Sequence, residues 1–161
     1  MSEPEEFRPK HTISDSVRFQ KDREKLGGLI LEGMKTTGGT DIDWIVEHNG
    51  GFIIMENKGF SNDHISIPVG QMIAFERLHE KLNSDGKCHF LIFGYDDIDF
   101  KNPESTIWFF DMKDWKTKSI PFTKNTQYNK RYIVERKVMT PITLKEYREM
   151  MEKFWKEFEK N

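Results

Sequence analysis

Apolar and polar positions in the first half of the chain predict a helix followed by a β-hairpin. Residues 14–26 have the pattern of a helix, and the glycine pair at 27–28 is expected to end it. Residues 41–58 hold two β-rich runs on either side of the turn pair Asn49-Gly50. Because Asn-Gly between two such runs strongly favours a tight turn, this segment is predicted to form a hairpin.

The second half of the chain predicts two further helices and two strands. Pro68 suits the first turn of a helix. The apolar face of that helix holds four residues at helical spacing: Gln71, Phe75, Leu78 and Leu82. Residues 88–95 are nearly all apolar, as in a buried strand, and residues 106–112 predict another strand. Residues 143–146 form a capping box at the start of the last helix. Core packing explains the stripe of large, mostly apolar residues along that helix: Leu144, Tyr147, Met151, Phe154 and Phe158.

This order of helix, hairpin, helix, strand, strand and helix is typical of an α/β or α+β sandwich. At about 150 residues per domain, a chain of 161 residues predicts one compact domain. We place it at residues 13–161, after a tail of residues 1–12 that is rich in proline and charge. A hydrophobic fraction of 36% is enough to build a core, so wholesale disorder is excluded.

Charge and cysteine content narrow the class of protein. The net charge of −2 excludes a strongly basic coat protein for nucleic acid, although a local basic patch is compatible with it. A single cysteine, Cys88, cannot form an internal disulfide, which favours a reducing compartment. The N-terminus lacks the pattern of a signal peptide, and no apolar run approaches the ~20 residues of a membrane span. We therefore expect a cytoplasmic protein with no membrane partner.

The register of the predicted hairpin brings charged residues together. If Asn49-Gly50 is a two-residue turn, Asp43 lies directly opposite Glu56, with Cβ atoms about 5 Å apart. Two carboxylates at that distance repel each other, and a divalent cation between them would reverse the sign of the interaction. Lys58 projects from the same face, because it follows Glu56 by two residues. Two carboxylates and an ammonium suit metal-assisted hydrolysis of a phosphodiester.

An alternative register places Gly50-Gly51 in the turn. Asp43 would then lie opposite Lys58 as a cross-strand ion pair with a purely structural role. Asn-Gly suits a type I′ turn better, which favours the first register. In both registers Asp43, Glu56 and Lys58 remain on one face of the hairpin.

The same residues resemble a known nuclease motif. Asp43, followed thirteen residues later by Glu56-Asn57-Lys58 at a strand end, resembles the signature of the PD-(D/E)xK, or restriction-endonuclease-like, superfamily. Gln71, four residues before Phe75, resembles the QxxxY-type helix motif of the RecB-like and Cas4-like branch, with Phe in place of the usual Tyr. A second departure is that Ile42, rather than proline, precedes the aspartate.

The resemblance implies an α/β fold with an αβββαβ core, a mixed sheet flanked by helices and a C-terminal helix. Its third strand would have to lie in residues 59–67, and residues 111–161 would be an elaboration outside the core. The resemblance also implies site roles. Asp43 and Glu56 would hold Mg²⁺ or Mn²⁺ together with the main-chain carbonyl of Asn57. Lys58 would be the catalytic lysine, and Gln71 would orient the lysine, the water or the phosphate.

Many members of this superfamily also carry an acidic residue on the first helix. Glu24 is the candidate here, followed by Asp22 and Glu32.

A basic, aromatic stretch is the second candidate for function. Residues 111–137 carry eight Lys or Arg against three acidic residues. Three of these lysines could follow a nucleic-acid backbone: Lys116, Lys118 and Lys124. Trp115 or Tyr128 could stack on unpaired bases. The alternative is an ordinary surface hairpin whose aromatic side chains pack inward.

The sequence thus supports a divalent-metal-dependent deoxyribonuclease, with DNA as the expected partner and RNA left open. Symmetric cutting of both strands would favour a homodimer. One alternative is a catalytically silent nucleic-acid-binding or accessory protein on the same fold. Another is an unrelated interaction domain in which Asp43 and Lys58 form a salt bridge.

Overall fold

The computed structural model describes residues 15–34, 40–117, 120–125 and 130–160. The chain divides into two units, Met1–Gly39 and Thr40–Asn161. The predicted tail of residues 1–12 lies outside the described residues.

The described part of the first unit contains helix α1 (Ser16–Gly33). The Asp15 side chain caps it by accepting from the backbone N–H of Arg18 at 2.9 Å. The helix runs through the glycine pair at 27–28, so the expected end at that point is wrong. A glycine inside a helix costs only about 1 kcal/mol relative to alanine. Good helix formers on both sides of the pair, such as Lys25 and Leu29, outweigh that cost.

The second unit contains most of the regular structure. In chain order its elements are β1 (Trp44–His48), β2 (Gly51–Gly59), β3 (His64–Pro68), α2 (Val69–Leu82), β4 (Cys88–Tyr95), β5 (Thr106–Asp111), α3 (Met112–Lys116), β6 (Thr123–Asn125), β7 (Arg131–Glu135), a 3-10 helix (Arg136–Val138), β8 (Thr140–Thr143) and α4 (Leu144–Glu159). A five-stranded sheet has the order β1-β2-β4-β5-β8, and a three-stranded sheet has the order β3-β7-β6. The larger sheet is mixed, because β2 and β4 are parallel while its other pairs are antiparallel.

The hairpin of β1 and β2 has the first of the two registers considered above. His48 pairs with Gly51, and the ladder ends at Trp44 opposite Met55. Asn49 and Gly50 both have positive φ, 49° and 82°. A type I′ turn requires positive φ at both of its central residues, so local turn chemistry determines this register.

The order of elements from α1 to β4 is αβββαβ, as predicted. The third strand, β3, lies at the end of the segment expected to contain it. It pairs with β7 in the smaller sheet and not with the larger one. Residue Met112, expected to end a strand, instead begins α3, because the Asp111 side chain accepts from the backbone N–H of Lys113 at 3.0 Å and caps a short helix.

Two clusters of buried side chains cover the two faces of the larger sheet. On one face, Ile54 and Phe90 lie in a cluster with Phe75 of α2 and with Ile65 and Val134 of the smaller sheet. On the other face, apolar residues of α4 pack against a second cluster: Leu91, Phe93 and Ile107. The molecule is therefore an α/β protein with a mixed sheet flanked by helices and with a C-terminal helix. No helix within the described ranges is long and apolar enough to cross a membrane.

Candidate active site

Strand β2 carries a charged pair toward the core. Side chains alternate along a strand, so Glu56 and Lys58 point to the same face as the buried Ile54. That face is covered by α2, and Glu56 is only 4% exposed. Burying a carboxylate is unfavourable unless it is paired and hydrogen-bonded. The surroundings of Glu56 must therefore supply both a counter-charge and donors.

Lys58 and Gln71 supply them. The Nζ of Lys58 lies 2.8 Å from Oε1 of Glu56 and 2.8 Å from Oε1 of Gln71. The amide nitrogen of Gln71 donates to the same Glu56 oxygen at 3.2 Å. Three side chains thus contact one another in a closed triangle, and Gln71 reaches it because it lies in the first turn of α2. The structure brings Glu56, Lys58 and Gln71 together as the sequence predicted.

Asp43 adjoins this triangle just before β1. Its backbone N–H donates to Oε2 of Glu56 at 3.3 Å, and its Oδ2 accepts from the backbone N–H of Asn57 at 2.8 Å. Asp43 is exposed, whereas Glu56 is buried. The repulsion expected between the two carboxylates is therefore offset by the Lys58 ammonium and by one backbone N–H at each carboxylate.

The oxygen donors of Asp43 and Glu56 fit a magnesium-type ion. Mg²⁺ prefers hard oxygen ligands, keeps several waters and is commonly bound through one or two carboxylates plus substrate phosphate. Among the residues that the structure describes, no group of three or more His, Cys, Asp or Glu side chains could hold a metal. A cation here would thus rely on two carboxylates, with Asn57 supplying a main-chain oxygen. The acidic candidates Glu24, Asp22 and Glu32 all lie on α1, in the first unit.

Only some of the residues predicted to bind nucleic acid within the basic stretch 111–137 are exposed. Lys116 at the end of α3 and Lys124 on β6 are exposed, whereas Lys118 and Tyr128 lie outside the described residues. Trp115 is only 5% exposed, and its indole nitrogen donates to Glu76 of α2. Of the two alternatives for this stretch, inward packing therefore holds for Trp115, which cannot serve as a platform for unpaired bases.

Sequence analysis missed two features of the second unit. One is the aromatic ring of Phe122, which is 44% exposed beside Trp115. The other is the pairing of β3 with β7, whereas the alternative of a hairpin within residues 111–137 is met by the antiparallel strands β6 and β7.

Two buried titratable groups lie away from the charged triangle. Burial lowers the pKa of His79, an effect that nearby Lys116 reinforces. Burial raises the pKa of the Cys88 thiol to about 11, and nearby Asp111 contributes in the same direction. Since the thiolate is the nucleophilic form, Cys88 acts as a small apolar filler at the start of β4.

The site combines an ammonium, an amide and two carboxylates where β2 continues past the start of β1. Such a set can bind a divalent cation and an anionic oxygen side by side. No protein-family model matches the chain, and no curated protein matches it. We therefore infer its function from the chemistry of the site and of the surface around it.

Proposed function

We propose that this protein is a divalent-metal-dependent nuclease that hydrolyses phosphodiester bonds of DNA. The observation that carries the proposal is the position of the Lys58 ammonium, 2.8 Å from both Glu56 and Gln71. A buried ion pair of this kind is weak evidence for a stabilising role, because apolar residues of similar volume often stabilise a fold at least as well. The position of this ion pair beside Asp43 is better explained by a chemical role.

Each side chain has a distinct task in this reaction. Mg²⁺ or Mn²⁺ held by Asp43 and Glu56 would polarise a phosphate oxygen and activate water for attack. An ammonium has three N–H donors, and contacts with Glu56 and Gln71 account for two of them. The third is then available to a phosphate oxygen, on which negative charge grows as water attacks phosphorus.

Gln71 and Asn57 are positioning residues. The Gln71 amide accepts from Lys58 and donates to Glu56, so it holds the ammonium and the carboxylate in one relative orientation. The backbone N–H of Asn57 holds the Asp43 carboxylate in the same way. Preorganisation of this kind reduces the reorganisation that the reaction would otherwise require.

DNA is the proposed substrate because the same unit exposes cations on α3 and β6. Lys116 and Lys124 are both exposed. Because the whole chain has a net charge of −2, a polyanion can be attracted only by local groups of cations such as these. Lys118 belongs to the same basic stretch of the sequence.

A second candidate function is a silent nucleic-acid-binding protein on this fold. It is favoured by one observation, namely that the Glu56 carboxylate already has Lys58 as its counter-charge. This alternative predicts binding of DNA without hydrolysis and without any response to metal.

Cleavage assays decide between the two functions. Linear, circular, single-stranded and branched DNA are incubated with Mn²⁺ and wild-type protein, beside Lys58→Ala and the control Lys101→Ala on the exposed β4–β5 loop. We expect cleavage by the wild type and by Lys101→Ala, and a loss of about 100-fold or more in Lys58→Ala. Equal cleavage by all three proteins would contradict the site assignment, and no cleavage of any substrate would favour the silent protein.

A further inference from the structure

A groove of about 550 Å³ opens on the second unit between α2 on one side and residues of α3, Phe122 and β7 on the other. We call it the aromatic groove, because Trp115, Phe122 and Tyr132 line it. The rings of Phe122 and Trp115 lie 4.6 Å apart, and those of Phe122 and Tyr132 lie 5.0 Å apart. Its volume is in the range of ~300–1,000 Å³ that is usual for sites of small organic ligands.

Phe122 is the exposed member of this aromatic cluster. It is 44% exposed, whereas Trp115 beneath it is 5% exposed. Exposing a large flat ring to water is unfavourable, and Phe122 packs against two other rings while part of it stays open to solvent. A half-exposed aromatic ring is a usual platform on which an unpaired base stacks.

The charges of the groove separate into an interior and a rim. Glu76 accepts from the indole N–H of Trp115, so its carboxylate is already engaged in the interior. Arg77, Lys116 and Glu80 are the exposed charged residues of the lining. The Nζ of Lys124 lies 5.9 Å from the ring centroid of Tyr132, so three cations face one exposed carboxylate at the rim. A neutral planar group therefore suits the interior, and a negatively charged group suits the part of the rim that carries the cations.

A nucleotide has this distribution of properties, since its base is flat and neutral and its phosphate is anionic. We propose that the aromatic groove binds an unpaired base of a DNA strand on Phe122, and that single-stranded DNA is the substrate class of the proposed nuclease. This inference rests on the proposed function for the identity of the strand. Duplex DNA offers no unpaired base to the groove, because its bases are already stacked and paired.

Helix α2 connects the groove to the candidate active site. Gln71 lies in its first turn, and Glu76 and Glu80 of the groove follow further along the same helix. At 1.5 Å per residue, the groove is displaced from Gln71 by roughly 8–14 Å along the helix axis. That displacement corresponds to about two to four nucleotides of a stacked strand. A base held in the groove would thus set which phosphate lies at Lys58.

Binding measurements without metal test this inference independently of hydrolysis. Labelled oligonucleotides of about 12 nucleotides, single-stranded or annealed to a complement, are titrated in EDTA with wild type, Phe122→Leu and Phe122→Tyr. Phe122→Leu keeps an apolar side chain over Trp115 and removes the flat ring, whereas Phe122→Tyr keeps the ring. Phe100→Ala is the matched control, because Phe100 is 76% exposed on another loop. Thermal melting of each variant is recorded in parallel.

We expect Phe122→Leu to weaken single-strand binding by about 5- to 100-fold, which is the usual effect of losing one stacked base. Duplex binding should change by no more than about twofold, since it depends on phosphate contacts. Phe122→Tyr and Phe100→Ala should bind the single strand as the wild type does. Unchanged single-strand binding by Phe122→Leu would overturn the inference, and so would equal losses for single strand and duplex.

Cleavage assays on the same proteins separate this inference from the proposed function. Phe122-dependent single-strand binding without cleavage would leave the groove assigned and refute the nuclease. Cleavage abolished by Lys58→Ala, together with unchanged single-strand binding by Phe122→Leu, would leave the nuclease supported and refute the groove.

Discussion

Lys58 donates to the side-chain oxygen of Gln71 across 2.8 Å, although the two residues lie on different elements. The contact orients the amide, so that its oxygen meets the ammonium and its nitrogen meets Glu56 at 3.2 Å. Glutamine is suited to this position because it is both an acceptor and a donor. A carboxylate of the same shape could accept from Lys58 but could only repel Glu56.

Gln71→Glu is therefore expected to destabilise the metal-free protein, because it places a second carboxylate against the buried Glu56. We expect a fall of about 3–8 °C in Tm, measured by circular dichroism in EDTA. Gln71→Met, which removes both hydrogen bonds without adding charge, should melt between Gln71→Glu and the wild type. A Gln71→Glu protein that melts at or above the wild-type Tm would contradict the triangle of contacts.

Mn²⁺ is expected to raise the Tm of the wild type and not that of Glu56→Gln. A ligand that binds only the folded state at 100 times its Kd stabilises it by ~2.7 kcal/mol, or roughly 5–10 °C in a chain of this size. Glu56→Gln removes one of the two carboxylates and leaves Lys58, whose side chain is 21% exposed, without its counter-charge. We therefore expect this variant to have a lower Tm than the wild type in EDTA. Addition of Mn²⁺ should leave the Tm of the variant unchanged. Equal Mn²⁺ shifts in both proteins would exclude Glu56 as a ligand.

Neutralising Lys116, Lys118 and Lys124 together should weaken binding of DNA and reduce its salt dependence. Each lost phosphate contact lowers the slope of log K against log salt by about 0.9 for duplex DNA, or about 0.7 for a single strand. The slope is measured by fluorescence anisotropy in EDTA over a range of salt concentrations. A control triple variant on the exposed face of α4 (Lys145, Lys153 and Lys156) should leave the slope unchanged. The opposite ranking of the two triple variants would move the DNA path to α4.

The parts of the fold set by local chemistry could be predicted, and those set by distant pairing could not. The Asn49-Gly50 turn specifies the register of β1 and β2 by itself, because both residues adopt positive φ. Gln71 was placed in the site by the resemblance to the nuclease motif, and its position as a polar residue on an apolar helix face supported that placement. In contrast, β3 pairs with β7, and Ser66 lies opposite Ile133. No local signal in either segment identifies the other as its partner, so this pairing was missed.

Arg136 stabilises the contact between the two sheets of the second unit. Its guanidinium lies 4.1 Å from the ring centroid of Phe60 and 4.6 Å from that of Trp108, and it forms ion pairs with Asp63 and Asp96. Lysine cannot stack on rings and bridge two carboxylates in this way. The two carboxylates are exposed and contribute little, so the ring contacts determine the effect, and we expect Arg136→Lys and Arg136→Met each to lower the Tm by about 2–5 °C.

Arg148→Met, on the exposed face of α4, is the control for this prediction. Its Tm should stay within about 1 °C of the wild type, since exposed single charges contribute little to stability. If Arg136→Lys had the same Tm as the wild type, the two ring contacts would have no part in joining the sheets.

Cys88 is expected to make the folded protein less stable at alkaline pH. Burial raises the pKa of its thiol from 9.0 to about 11. Between these values the unfolded chain loses the proton while the folded chain keeps it, so the free energy of unfolding falls as the pH rises. Cys88→Ala lacks this group. Between pH 8 and pH 10.5 the wild type should therefore lose about 2 kcal/mol more unfolding free energy than Cys88→Ala does.

Urea unfolding of both proteins at the two pH values measures this difference. Tyr147, whose pKa burial also raises, is present in both proteins, so its contribution cancels in the comparison. The cavity left by Cys88→Ala has the same cost at both pH values and cancels as well. The change of this difference in unfolding free energy with pH therefore reports only the ionisation of the thiol. A difference that stays constant from pH 8 to pH 10.5 would mean that the Cys88 thiolate is solvated in the folded state, and β4 would then begin at an open edge of the core.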